Sequence, residues 1–236
     1  AYPEASPSGT VFLSAFTTKT AVYALLVGFP GAEILIWVGL YMVFYGIIYA
    51  LLENDMRRIL AYSIVNQVGF MVTAIGIGTE MALNGAAAHA FAHIIYKALL
   101  FMSAGVVVYR TGFNKCTEVG GLFRTMPLTA VCGIIGALAI SGFPLTSGFT
   151  TKTLISVAAE QQGLAVVYFL LAAASARGAA AVLDPGFRGA VDLVAGDHQP
   201  EARSAGVLQR RCRRAGGAAR GRPREPARSG ADGRRA

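Results

Sequence analysis

Asn84-Gly-Ala-Ala-Ala-His-Ala-Phe-Ala-His-Ile-Ile-Tyr-Lys-Ala-Leu-Leu-Phe-Met-Ser-Ala-Gly105 is apolar and long enough to cross a bilayer, yet it carries His89, His93 and Lys97. Spaced four residues apart, these three line up along one face of a helix. A lysine at the centre of a span costs about 2.5–3.5 kcal/mol on insertion scales, so it faces a protein interior or a water-filled path. Two imidazoles that titrate near neutral pH beside it form a ladder able to carry protons.

The surrounding composition agrees with a membrane setting. Of 236 residues, 54% are hydrophobic and only 14% are charged, against roughly 25% charged in soluble domains. Several apolar runs reach the roughly 18 residues expected of a spanning helix. Barrel strands would alternate apolar and polar residues, and these runs do not. The fold class expected is therefore all-α: a polytopic transmembrane helix bundle.

Five spans are expected. The first, Val11 to Phe29, holds Lys19 near its middle, where a snorkelling lysine does not fit. Pro30-Gly31 separates it from an aromatic span, Ala32 to Leu52, whose aromatic residues suit packing or an interface belt. A charged loop, residues 53–58, leads to a third span, Ile59 to Gly78, with Ser63, Asn66 and Gln67 along it. These polar residues either join neighbouring helices or line a hydrated path. The ladder span, Leu83 to Tyr109, begins with alanines and glycines that permit close helix approach. The fifth starts at Pro127, breaks at Ser141-Gly-Phe-Pro144 and resumes through Lys152. Freed backbone groups at such a break need protein or water partners, and paired half-helices mark ion sites in several transporters. A final apolar run, Gly163 to Ala176, is short for a span.

Charge gives an orientation. If the spans alternate, loops 53–58 and 110–126 share a side and carry Arg57, Arg58, Arg110, Lys115 and Arg124, while the turns between them carry no Lys or Arg. The positive-inside rule places both loops in the cytoplasm. Cys116, Cys132 and Cys212 are scattered and suggest no disulfide framework, metal site or cluster. The chain opens without a signal peptide and reads as a fragment of a longer membrane protein.

Residues 177–236 have another composition, with 13 Arg, no Lys and 6 Asp/Glu, against 8 Lys/Arg and 7 Asp/Glu in residues 1–176. The expected division is thus a core, 1–176, and a basic Arg/Gly/Ala/Pro-rich tail, 177–236. The tail is either disordered and lipid-binding or the product of a shifted reading frame, which the abrupt change favours. Without interleaved aromatics, nucleic acid is not an expected partner.

Four stretches together carry a resemblance: Asp55-Met-Arg-Arg-Ile-Leu-Ala-Tyr-Ser63 with Gln67-Val-Gly-Phe70, the ladder through Phe101, Ser141-Gly-Phe-Pro144, and Gly148-Phe-Thr-Thr-Lys152. In this order they resemble the proton-conducting antiporter family, which contains the large membrane subunits of respiratory complex I and the related subunits of Mrp-type Na⁺/H⁺ antiporters. The wording of the core is closer to a D-type antiporter subunit. The resemblance implies that Lys19, His89, His93, Lys97 and Lys152 form a proton-translocation row, Lys19 lying where the family has a lysine on a broken helix. It implies proton translocation coupled to monovalent cation exchange, or proton pumping in a complex I-type subunit, with other membrane subunits as partners and the inner (plasma) membrane as location. The family's partner glutamate is expected upstream of residue 1, so a non-transporting remnant is the alternative. No cofactor, metal or redox site is expected; an NADH dehydrogenase activity would belong to the assembly.

Overall fold

The computed structural model describes residues 2–119 and 122–175; the expected tail lies outside them. Among the described residues the regular structure is helical. The longer helices are α1 (Pro7–Gly28), α2 (Ile34–Leu52), α3 (Met56–Ile77), α4 (Glu80–Thr111), α5 (Pro127–Ser141), α6 (Ser147–Gln161) and α7 (Ala165–Ser175). The first four are long and apolar enough to cross a membrane. A multi-pass helical membrane bundle follows.

Helix limits are set by capping chemistry. Ser6 Oγ accepts from Gly9 N–H with Pro7 at the first helical position. Asp55 Oδ1 accepts from the Arg57 and Arg58 amides at 2.9 and 3.2 Å, and Thr79 Oγ1 from Ala82 N–H at 3.2 Å. Each cap satisfies amides that the first turn leaves without a helical partner. Gly78, Gly112 and Gly142 end α3, α4 and α5 with φ near +73°, the left-handed conformation that glycine adopts without a Cβ penalty. Helices α1, α3 and α4 therefore begin three or four residues before the apolar runs do.

Helix α4 is central, packing against α1, α3, α5 and α6, while α2 lies along the outer side of α3. Small residues make the approach close. A Cβ on Gly46 would lie 2.6 Å from the Asn66 amide, and one on Gly76 would lie 2.6 Å from the Ile36 amide. Ala82, Gly85 and Ala86 are buried in the first turns of α4, with Ile155 of α6 against Gly85. The alanine- and glycine-rich start of the ladder span thus serves close packing, as expected. Trp37 and Tyr41 face outward from α2, and Tyr45, Tyr49 and Tyr62 cluster between α2 and α3.

The connecting segments gather in two groups. Gly31 N–H donates to Ile75 C=O at 2.9 Å, bringing the α1–α2 turn to the end of α3. Away from it, Met56 N–H donates to Asn114 C=O at 3.0 Å and Cys116 N–H to Asn54 C=O at 2.9 Å. The basic loop before α3 and the loop after α4 therefore lie side by side.

Two helices depart from regularity where lysines approach. In α1 the turn Leu13–Thr17 is widened to π-helical geometry just before Lys19. The expected break after α5 spans Gly142 to Thr146, with Leu145 at a positive φ of 72°. The sequence resemblance places Lys19 on a broken helix; here that helix is widened and continues to Gly28.

Candidate functional site: a buried lysine and histidine row

His89, His93 and Lys97 are 0% exposed and Lys152 is 5% exposed. The four-residue spacing on α4 does align the first three, with the His89 and His93 ring centroids 6.4 Å apart. Lys152 reaches the interior, not the surface. Lys19 is half-buried along its length, with its ammonium turned into the bundle.

The three lysines share one mode of attachment: each ammonium donates to a backbone carbonyl. Lys19 Nζ meets Ser14 C=O at 2.8 Å, inside the widened turn, and Thr18 Oγ1 at 3.1 Å. Lys97 Nζ meets Leu60 C=O at 3.0 Å and also donates to Ser63 Oγ. Lys152 Nζ meets Ile140 C=O at 2.7 Å. Ile140 stands four residues before Pro144, whose ring nitrogen has no hydrogen to close the next helical bond. Rings complete the seats of two lysines, with Lys97 Nζ 5.8 Å from the Phe101 centroid and Lys152 Nζ 5.4 Å from that of Phe70. A cation within about 6 Å of an aromatic face is attracted by it. Among the described residues the ion pairs, Arg58–Glu53 and Lys115–Glu118, lie at the surface and include none of these lysines.

Lys19 joins the row at His93, with Nζ 2.6 Å from Nδ1. An ammonium only donates, so His93 Nδ1 accepts and the imidazole keeps its proton on Nε2. Passing the proton across that contact reverses the roles without moving either heavy atom. Lys97, one turn further along α4, is seated instead on α3.

His89 lies between α3 and α6. Its Nε2 is 3.1 Å from Gln67 Oε1 and its Nδ1 is 2.7 Å from Thr151 Oγ1. Gln67 also accepts from Tyr96 O–H at 3.3 Å and donates to Asn66 Oδ1 at 2.6 Å. Asn66 donates to Val43 C=O of α2 at 3.0 Å. Of the polar residues on α3, Asn66 bonds across to α2, Ser63 accepts from Lys97 and Gln67 bonds to His89. Sequence reading singled out neither Thr151 nor Tyr96, although each directly precedes a buried lysine. The carbonyls of Ser14 and Leu60 carry no side-chain signal, while Ile140 is marked by the proline four residues on.

Comparison with known proteins gives the arrangement a family. Residues 1–176 match the family described as NADH:quinone oxidoreductase/Mrp antiporter, TM. Over 152 residues the chain is 39% identical to the D-type subunit of the Na(+)/H(+) antiporter of Alkalihalophilus pseudofirmus, covering 60% of this chain and 31% of that protein. Over 175 residues it is 33% identical to the N-type subunit of the NADH-quinone oxidoreductase of Desulforudis audaxviator, covering 70% of this chain and 35% of that one. Among solved structures, the Mrp complex from Dietzia sp. matches with a TM-score of 0.74 and 29% identity, over 80% of this chain and 37% of the matched chain. An archaeal membrane-bound sulfane sulfur reductase matches with a TM-score of 0.72 and 28% identity, over 80% and 34%. The chain spans about a third of the length of these relatives. With three quarters of its residues matched to one family model and the same fold found in an Mrp complex and in an archaeal respiratory membrane complex, this chain belongs to the NADH:quinone oxidoreductase/Mrp antiporter transmembrane family.

Proposed function

We propose that this chain forms part of a membrane subunit that translocates protons, coupled to monovalent cation exchange, through the row Lys19, His89, His93, Lys97 and Lys152. The observation that carries the reading is the 2.6 Å contact between Lys19 Nζ and His93 Nδ1. It joins two helices through a donor and an acceptor that can exchange a single proton. Each lysine of the row is held by a neutral backbone carbonyl, with no carboxylate paired to it among the described residues. The two histidines, 6.4 Å apart between ring centroids, are too far apart for a direct hydrogen bond and suit transfer through an intervening water. Ser63 and Gln67 orient the row from α3; Asn66 holds Gln67.

The 39% identity to a D-type Na(+)/H(+) antiporter subunit favours cation-coupled exchange, with Na⁺ as the first cation to test. The longer match to an N-type quinone oxidoreductase subunit supports proton pumping in a complex I-type assembly as the second reading. Either role implies other membrane subunits as partners. The side-by-side basic loops, with Arg57, Arg58 and Lys115, support a cytoplasmic position for that face in an inner (plasma) membrane. Residues 177–236 are read as a segment of separate origin; the family match ending at residue 176 supports this, and sequencing the surrounding gene in all frames tests it.

In everted vesicles containing the full-length protein, Lys97→Ala is expected to abolish ΔpH-driven Na⁺ exchange at unchanged protein level. Exchange retained in Lys97→Ala removes the ladder from the mechanism. Exchange absent in the wild type, with NADH-driven proton uptake present, replaces the first reading with the second.

A further inference from the structure

Thr151 is the fifth residue of α6, 6% exposed, and directly precedes Lys152. Its hydroxyl has one proton and three neighbours: His89 Nδ1 at 2.7 Å, Ser147 C=O at 3.0 Å and Gly148 C=O at 3.4 Å. The carbonyls can only accept, whereas Nδ1 either donates or accepts.

Which of these it does depends on the opposite side of the ring. The Val43 carbonyl cannot be turned round, so the Asn66 side chain must present its NH₂ group to it. Asn66 Oδ1 then faces the Gln67 NH₂ group, and Gln67 Oε1 faces both Tyr96 O–H and His89 Nε2. A backbone carbonyl on α2 thus obliges His89 Nε2 to carry a hydrogen. The variable proton of His89 is left to Nδ1, and Nδ1 has Thr151 as its partner. The charges bearing on this imidazole are those of Lys152 from α6, Lys19 from α1 and, when protonated, His93 of α4; α3 contributes the neutral Gln67 amide and the Phe70 ring.

We propose that Thr151 is a two-position hydroxyl that fixes Nδ1 as the proton-accepting atom of His89 and reports its loading to α6. With His89 neutral, Thr151 O–H donates to the Nδ1 lone pair. To load the ring, Thr151 O–H turns to the Ser147 carbonyl and frees the Nδ1 lone pair; a proton released by a lysine ammonium of the row, which becomes the neutral amine, is carried there by water, and Nδ1–H then donates to Oγ1. No bond to carbon changes and no heavy atom moves. Thr151 is thereby a positioning residue, and the reorganised hydrogen bond lies one residue from Lys152. This inference rests on the reading of His89 as a proton carrier.

Nitrogen-15 NMR of histidine-labelled full-length protein in lipid bilayers tests the geometry, with His89 identified by the resonances lost in His89→Gln. The neutral ring is expected to carry its proton on Nε2 with Nδ1 hydrogen-bonded. Thr151→Val should move Nδ1 to the position of an unbonded nitrogen, and Thr151→Ser should restore it. A neutral wild-type ring protonated on Nδ1, or an Nδ1 signal unmoved in Thr151→Val, overturns the proposal. In vesicles, Thr151→Val should slow exchange about 10²-fold, the lower end of what a positioned proton-transfer group contributes, with Thr151→Ser within a few-fold of wild type. Wild-type exchange in Thr151→Val alongside an inactive Lys97→Ala overturns the role of Thr151 and leaves proton translocation standing. Exchange and proton uptake both absent in the wild type overturn the function reading and the transport role of Thr151 with it.

Discussion

Lys152 Nζ occupies the Ile140 carbonyl at 2.7 Å, the acceptor that Pro144, four residues on, has no hydrogen to serve. The ammonium completes the break between α5 and α6. Removing it exposes two opposed effects. An unpaired buried carbonyl costs about 1–3 kcal/mol, whereas burying a charge costs several kcal/mol even after relaxation. The buried charge outweighs the carbonyl, so Lys152→Met should raise the thermal unfolding midpoint in detergent while stopping transport. A lowered midpoint would show that the carbonyl contact matters more than the charge.

Close contact between α2 and α3 gives a second expectation. The Cβ of Gly46→Ala would stand 2.6 Å from the Asn66 amide and 2.8 Å from the Tyr62 carbonyl. Both neighbours are backbone, so the helices must separate. Overpacking of this kind costs about 1–3 kcal/mol, measurable by unfolding in mixed micelles. Because Asn66 holds Gln67, the His89 Nε2 resonance should shift as well. Unchanged stability would mean that the two helices part without loss.

Much of this arrangement was legible in the residues. The four-residue spacing of His89, His93 and Lys97 aligned them on one face, and Gly142 with Pro144 announced the break. Span boundaries were displaced because hydropathy marks where apolar residues begin, whereas a helix begins at its cap: Ser6, Asp55 and Thr79 lie upstream of their apolar runs. The contact of Lys19 with His93 could not be read, since it depends on how α1 packs against α4. Nor could the lysine seats at Ser14 and Leu60, because every residue has a carbonyl and only the fold selects one. Thr151 carries no signal of its own within Gly148-Phe-Thr-Thr-Lys152; its significance comes from the imidazole across the interface.

Arg57 should prove an anchor for the amino-terminal segment. Its Nη2 donates to Ala5 C=O at 2.5 Å, Thr10 Oγ1 at 2.7 Å and Tyr2 C=O at 3.3 Å. Hydrogen bonds from a charged donor contribute about 1.5–3 kcal/mol each when isolated, and three on one nitrogen share that gain. Arg57→Ala should therefore speed proteolysis within residues 2–10 at least several-fold. A cleavage rate equal to wild type would show that these contacts do not hold the segment.

At the paired loops, burial first and the Asp55 carboxylate second push the Cys116 thiol up to about 11. A thiol raised in this way stays protonated at pH 8, and the thiolate is the reactive species. Alkylation at pH 8 should be slow and should accelerate as pH approaches 11. Asp55→Asn keeps a side chain able to cap α3 but removes the negative charge, so it should raise the alkylation rate at pH 8. The same slow rate in Asp55→Asn would leave burial as the sole cause.

The loop pairing also has a mechanical consequence. Helices α3 and α4 are joined covalently through Gly78 and Thr79 at one end, and at the other Asn54 and Met56 are bonded to Cys116 and Asn114. The two helices that bear Gln67 and His89 therefore belong to a frame closed at both ends, which resists sliding of one past the other. On the proposed transport function, a piston-like displacement would be taken up outside that frame. The two irregular segments, the widened turn at Leu13–Thr17 and the interruption at Gly142 to Thr146, precede and follow it in the chain.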